Sequence, residues 1–184
     1  MRKDISLALA TRLINHGPVV LISSMLNGKA NVTPVAWLMP LQKDPPMLAL
    51  VIDPAHHIHK CIFNTGDFVI NIPPSSLVED VVKCGSVSGK NVDKIDMCGF
   101  TLSASRTVNS PAIDESIAVL ECILVRDEYC GKKYDMVIGE VKRAEVEEEL
   151  FHDHWIFEDR ETRTLHHLGN HIFCVPDGEL HDLS

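Results

Sequence analysis

Two apolar runs separated by Asn27-Gly28 constrain this chain more than any other feature. Pro18–Met25 precedes the pair and Ala30–Met39 follows it. Asn and Gly both tolerate positive φ, so the dipeptide reads as the turn of a β-hairpin. The returning segment, Gly28 to Trp37, is unusual for a strand. It carries Asn31 and Thr33, then Pro34, which has no N–H to give to a ladder. Such a segment is either an edge strand with a bulge or a wall that offers polar groups to a ligand, and these residues alone leave both open.

The remaining pattern extends the hairpin into a β-rich fold. Ile5, Ala8, Leu9 and Leu13 predict a short helix over Asp4–Asn15, stopped by His16-Gly17-Pro18. Leu41–Pro46 reads as a loop and Met47–Ile52 as a buried strand. His56–Asn64 has helical character, with Gly66 suited to the C′ position. Phe68–Ile72 is a strand, and Ser75 or Ser76 starts a helix to about Lys83, with Ser76 and Glu79 as a capping box. Cys84–Lys94 is a loop with a helical turn after Val92. Phe100–Ser105 and Ile117–Glu128 are strands separated by the irregular Arg106–Glu115. Gly131-Lys132-Lys133 is a turn before a long final strand, Tyr134–Val141 continued by Lys142–Val146. The tail from Phe151 is loop-like, with a turn of helix near Trp155. About six or seven strands that do not alternate with helices predict a mainly β fold, an antiparallel Greek-key-type barrel with peripheral helices, rather than a doubly wound parallel sheet. At 184 residues, positions 1–184 read as a single domain.

Charge and spacing exclude several functions. A formal net charge of -9 argues against a nucleic-acid or anionic-membrane surface. The longest apolar runs, Pro18–Leu26 and Pro45–Ile52, are too short to span a bilayer. The N-terminal pattern is broken by Asp4, Thr11, Arg12 and Asn15 and lacks the apolar core of a signal peptide, so the chain reads as cytoplasmic. Cys61, Cys84, Cys98, Cys122, Cys130 and Cys174 form no C-x-x-C pair, against a zinc ribbon, an iron–sulfur motif or a thioredoxin-type dithiol. They read as reduced and mostly buried, and nothing in their spacing favours a redox sensor. Eight of the ten histidines cluster, at His56, His57 and His59, at His152 and His154, and at His166, His167 and His171. These suit a metal site or a polar rim, but no H-E-x-x-H is present. There is no G-x-S-x-G elbow, and the glycines of Cys84–Lys90 fit neither G-x-G-x-x-G nor a P-loop. That segment does supply hydroxyls, flexible N–H groups, and Lys90 and Lys94 in an acidic chain. Such groups suit a phosphate or an electron-rich ring edge, or else a solvated surface loop.

In order, these pieces resemble the flavin reductase-like, FMN-binding split-barrel family, and within it the flavoredoxin branch. The resemblance is carried by Gly17-Pro18-Val19-Val20-Leu21-Ile22-Ser23, Asn31-Val32-Thr33-Pro34-Val35-Ala36-Trp37, Pro45-Pro46-Met47-Leu48 and His57-Ile58-His59-Lys60-Cys61-Ile62. It continues through Thr65-Gly66-Asp67-Phe68-Val69-Ile70-Asn71-Ile72-Pro73, Cys84-Gly85-Ser86-Val87-Ser88-Gly89, Val92-Asp93-Lys94, Leu120-Glu121-Cys122 and Ile138-Gly139-Glu140-Val141. It implies an FMN site at the barrel rim of a homodimer. It places Asn31, Val32, Thr33, Pro34 and Trp37 beside the flavin, and Ala55, His57, Ile58, His59 and Lys60 near the ribityl phosphate. Ser88, Gly89 and Lys94 fall close to the ring or phosphate. The chain departs from the family in having Ala55-His56 where Ser-Arg is frequent, and Ile58 where Ser or Thr is. Tyr134 stands at a family histidine and Phe173 at a family tyrosine, and both join the candidate cofactor contacts. The resemblance implies an FMN flavoprotein oxidoreductase, either an electron carrier fed by a redox protein or an NAD(P)H-dependent flavin reductase, without a catalytic side chain. The alternatives are a non-enzymatic flavin or small-molecule binding protein and a histidine-rich metal protein.

Overall fold

The chain begins with a short strand, β1 (Arg2–Asp4), and a single-turn helix, α1 (Leu7–Ala10), continued by a 3-10 turn over Thr11–Leu13. The computed structural model describes residues 1–179, apart from the side chains of Glu128 and Cys130. The expectation for Cys130 and the end of the predicted tail, 180–184, lie outside them. A helix over all of Asp4–Asn15 does not form, because Arg2, Lys3 and Asp4 pair with Glu147, Val146 and Glu145 instead. Burial of Ala10, Leu13 and Ile14 is kept by the remaining turns.

The hairpin stands where Asn27-Gly28 puts it, with φ of 52° and 78° at the two residues. β2 (Val20–Leu26) pairs with β3 (Lys29–Val35) from Val20↔Val35 to Leu26↔Lys29. The expected single strand to Met39 is two strands: β3 ends at Val35 and β4 (Leu38–Lys43) follows. Pro34 does not interrupt β3, since it lies opposite Leu21 in the ladder. β3 is an edge strand, so a residue whose N–H faces away from β2 loses nothing by being proline. The expected loop Leu41–Pro46 is mostly strand. β4 is the other edge of the sheet, and its wet outer face disguised it as loop.

β5 (Pro46–Val51) follows, then α2 (His57–Thr65), closed by Gly66 at φ 81° with its N–H on the Ile62 carbonyl. β6 (Asp67–Ile72) leads to α3 (Val78–Gly85). The Ser76–Glu79 capping box is not made, because a 3-10 turn at Ser75–Leu77 intervenes and α3 starts without a side-chain cap. α4 (Lys94–Cys98), β7 (Leu102–Ser103), β8 (Ala112–Ile113) and β9 (Ala118–Val125) come next. The strand expected over Phe100–Ser105 shrinks to the two-residue β7, because only β8 pairs with it. Gly131-Lys132-Lys133 is not a turn but part of α5 (Glu128–Tyr134), where Lys133 lies over the rings of Tyr129 and Tyr134. β10 (Met136–Glu147) is the long final strand. The tail is more ordered than its pattern suggests, ending in a hairpin of β11 (His166–Gly169) and β12 (Ile172–Cys174).

The main sheet runs β3-β2-β6-β9-β10-β5-β4, with β1 beside β10, and its paired strands are antiparallel. The two edges of this order, β3 and β4, are joined by Ala36-Trp37 alone. A link that short spans no more than roughly 10 Å, so the sheet must curl until its edges nearly meet. The result is a split barrel, open where β3 passes into β4.

Inside it pack Ile22, Leu48, Leu50, Phe68, Ile70, Leu120, Val137 and Val141. Ile58, Cys61 and Ile62 of α2 are fully buried against them and plug one end. Gly139 leaves the space that the Phe68 ring occupies, since a Cβ there would overlap it. A second cluster covers the outer face of the hairpin: Val19, Leu21 and Val32 against Val81 and Cys84 of α3, with Phe100, Ile113 and Leu165. The irregular Arg106–Glu115 is held by buried carboxylates. Asp67 accepts from Asn109 N and Ser110 N, both at 3.0 Å, while Glu121 accepts from Arg106 N at 3.1 Å and Arg143 Nη1 at 2.9 Å.

Candidate functional site

The mouth of the split is a cavity of about 360 Å³, within the range that accepts a drug-sized molecule. One wall is the β3–β4 link, Thr33 to Trp37. Val51, Ile52, Asp53 and His56 form the second wall, and Val81, Val82, Gly85 and Ser86 of α3 and its end form the third. The β11–β12 hairpin closes the fourth with His167, Asn170, His171 and Phe173. Thus β3 is both an edge strand and a cavity wall, and neither reading of Gly28 to Trp37 excluded the other.

Beyond Thr33 the surface becomes cationic. α4 is capped by Asp93, whose carboxylate accepts from Ile95 N at 3.2 Å and Asp96 N at 3.3 Å. That cap directs Lys94, the first helical residue, inward. Lys94 is only 5% exposed, and its Nζ donates to Thr33 Oγ1 at 3.3 Å. Among the described residues no carboxylate forms an ion pair with it. Burial accordingly lowers its pKa below the usual lysine value, against the opposing effect of Cys84 and Cys98. His57 is lowered as well, by burial first and then by Lys60, Lys90, Lys94 and Lys29. Five cationic or titratable side chains therefore share one neighbourhood of a chain whose net charge is -9. The N-terminus of α2 opens into the same region with no side-chain cap and no acidic residue in its first turn. The N–H groups of its first turn, apart from that of His59, which donates to the His56 carbonyl, and its dipole suit an anion.

Two further details point to a ligand. Asn31 is 5% exposed and its Nδ2 is buried without a hydrogen-bond partner. Such an orphan donor costs about 1–3 kcal/mol unless something accepts from it. Gly89 sits directly over that amide, where any Cβ would overlap Asn31 Oδ1.

The candidates separate into groups. Thr33, Pro34, Trp37 and Phe173 line the cavity; Asn31, Gly89, Lys94 and His57 are not part of its lining and gather beyond Thr33, with Gly89 over Asn31, Lys94 on Thr33 and His57 near Lys94. Ser88 is exposed on the same loop, its hydroxyl accepting from Lys90 N at 3.3 Å. Lys60 and Ala55 are exposed around the start of α2, and His59 stacks on Phe63 at 4.3 Å between ring centroids. Val32 and Ile58 are fully buried in the two cores, so their side chains are committed to packing and offer a ligand backbone at most. Tyr134 is not brought to the cavity: its ring turns to Tyr129 and Lys133 at the end of α5. His56, His167 and His171, read from the sequence as suited to a metal site or a polar rim, line the cavity, and so do Asp53, Ser86 and Asn170, which were not among the candidates; His167, Asn170 and His171 belong to the β11–β12 hairpin. The Gly169-Asn170 turn signal could have revealed that hairpin and Asn170 with it. Among the described residues no group of three or more His, Cys, Asp or Glu side chains is placed to hold a metal. None of the described helices is long and apolar enough to cross a membrane.

Comparison with known proteins gives concordant results. A profile of the flavin reductase like domain matches residues 12–166. The YddH protein of Escherichia coli K12 is 35% identical over 175 residues, covering 93% of each chain. The FMN-binding domain of a flavin reductases-like enzyme from Shewanella baltica OS155 superposes with a TM-score of 0.94 at 30% identity, covering 99% of this chain and 97% of that one. The flavoredoxin of Desulfovibrio vulgaris (Miyazaki F) shares the fold with a TM-score of 0.79 at 21% identity, covering 91% and 90%.

Proposed function

The chain belongs to the flavin reductase-like domain family, and on that premise we propose that it is an FMN-binding flavoprotein that passes electrons between a redox protein and an acceptor. The observation that carries this reading is the buried, carboxylate-free Lys94 on Thr33 beside the orphan amide of Asn31. A buried cation without an opposite charge is costly, and a phosphate would supply that charge. The residues present fit the cofactor. Lys94, Thr33, His57 and the first turn of α2 would hold its phosphate end, and Pro34 to Trp37 with Phe173 would face its ring.

When bound, the flavin supplies the redox chemistry, taking up and releasing electrons at its ring. The chain's own part is to hold, orient and shield it. Asn31 donates to a ligand acceptor through Nδ2, the β3–β4 link gives an apolar wall, and the β11–β12 hairpin limits access to water. No side chain is needed as a proton donor for electron transfer alone.

The exposed apolar rim supports a macromolecular partner at this mouth. Trp37 is 72% exposed, Leu168 65% and Ile172 60%, all at or beside the cavity. A second copy of the chain, as a homodimer that completes the site, is proposed first; sedimentation velocity at micromolar concentration reads it directly. Flavin titration tests the function: added FMN should lose fluorescence and gain a shifted visible spectrum in stoichiometric amounts. A chain that leaves FMN fluorescence unchanged refutes it. Stopped-flow mixing with NADH and NADPH separates carrier from flavin reductase, because rapid bleaching of bound flavin by either nucleotide removes the carrier reading.

A further inference from the structure

Cys84 and Cys98 are fourteen residues apart in sequence and meet in space. Cys84 ends α3, fully buried, and Cys98 ends α4, partly exposed. Both side chains pack in the same apolar cluster, and Asp80, whose carbonyl Cys98 Sγ reaches, lies one helical turn before Cys84 on α3. The helices that carry them are already tied at this point. Cys98 Sγ donates to the Asp80 carbonyl at 3.7 Å, and Lys83 Nζ donates to the Met97 carbonyl. Cys84 Sγ in turn donates to the Val32 carbonyl of β3 at 3.7 Å.

The segment between the two thiols, 85–97, lies along β3. Gly85 abuts Pro34, Gly89 covers Asn31, and Lys94 reaches Thr33. We propose that Cys84 and Cys98 form a reversible dithiol–disulfide clasp, a redox modification site that closes the 85–97 loop at its base and sets how firmly it covers the cavity. Its link to cofactor affinity rests on the flavin reading above; the clasp itself does not.

The chemistry balances with a hydroperoxide as oxidant. The partly exposed Cys98 attacks the peroxide: an S–O bond forms, the O–O bond breaks, and an alcohol or water leaves. The Cys84 sulfur then displaces the oxygen of the Cys98 sulfenic acid as water, and the S–S bond forms. Two electrons pass from the thiols to the peroxide, and an external dithiol reverses the change. Burial pushes the Cys84 thiol up to about 12 and raises Cys98 too, so the reactive thiolate is scarce at neutral pH and the clasp closes slowly, over an extended exposure to the peroxide. Closing the loop removes open conformations that 85–97 otherwise samples.

The test treats the full chain with hydrogen peroxide, quenches it with catalase, and maps peptides without reduction. The expected result is a Cys84–Cys98 cross-linked peptide, released by dithiothreitol, together with amide exchange over 86–97 slowed at least about tenfold. Cys98→Ser, at the more exposed position, should abolish both changes. Oxidation confined to Cys174 or ending in sulfinic acids overturns the proposal, as does a cross-link that leaves exchange unchanged. FMN titration of the oxidised chain should give a dissociation constant several-fold lower than that of the reduced chain, and equal constants overturn the coupling. If neither form binds FMN while the cross-link and slowed exchange appear, the clasp stands and the flavin reading falls.

Discussion

Replacing Lys94 by methionine should move cofactor affinity and stability in opposite directions. The ammonium is 5% exposed, its hydrogen-bond partner is the Thr33 hydroxyl, and burial lowers its pKa. Without a ligand it is therefore a charge held out of water with a neutral hydroxyl as its partner and no opposite charge among the described residues. Replacing buried charged groups by well-packed apolar side chains is often neutral or stabilising, by up to about 4 kcal/mol. Methionine keeps the stem's packing and drops the charge, so the ligand-free chain should gain stability of that order. With FMN bound, the same change removes a charge-assisted hydrogen bond worth about 1.5–3 kcal/mol, which is roughly a 10- to 150-fold weaker dissociation constant. Urea unfolding of the flavin-free chain reads the first effect and fluorescence titration the second. Lys43→Ala on the exposed strand β4 is the control, with stability changed by no more than about 0.5 kcal/mol and FMN affinity unchanged. If Lys94→Met binds FMN as tightly as Lys43→Ala does, the phosphate does not lie at Lys94. If it destabilises the ligand-free chain, the side chain is a packing element and the argument from its buried charge fails.

Gly89→Ala should weaken FMN binding by about tenfold or more, because the new Cβ drives the Asn31 amide aside; restoring space with Asn31→Gly should not restore affinity, since the donor is then gone. Gly139→Ala should cost about 1–3 kcal/mol in urea melts by overpacking the Phe68 ring, with no direct effect at the cavity. His16 is half-buried among Trp155, Phe157 and His166, and burial followed by His166 lowers its pKa from 6.5 to about 4. The unfolded chain therefore takes up this proton first, so stability is unaffected above pH 6.5 and falls as pH drops from 6.5 towards 4, by at most roughly 3 kcal/mol. His16→Gln should flatten that part of the profile, and an unchanged slope between pH 7 and pH 4.5 rejects the assignment. Asn71→Leu should cost about 2–4 kcal/mol in the same melts, because it strands the Ile113 N–H, which Asn71 Oδ1 accepts from at 2.8 Å.

The sequence by itself determined the antiparallel, β-rich plan. Asn27-Gly28 demanded a hairpin, Met47–Ile52 and Phe68–Ile72 were too short and apolar for anything but buried strands, and Gly66 marked the end of α2. These signals are local: a φ preference or a two-residue alternation acts within a few positions of itself. Edge strands and chain ends were harder to read, as β4 and the β11–β12 hairpin show, because a strand that is wet on one side has little apolar pattern to betray it. The tertiary structure decided everything that depends on residues far apart. It curled the sheet until β3 and β4 faced each other across two residues, and it buried Lys94 on Thr33, sixty-one positions away. It turned Ile58 and Val32 into core and Tyr134 away from the cavity. It brought the end of α4, with Cys98, against the turn of α3 that carries Cys84, which nothing in their spacing announced. Burial, and with it the energy of an unpaired charge or an orphan amide, belongs to the packed assembly rather than to any stretch of chain, so the site's chemistry appears only when the barrel closes.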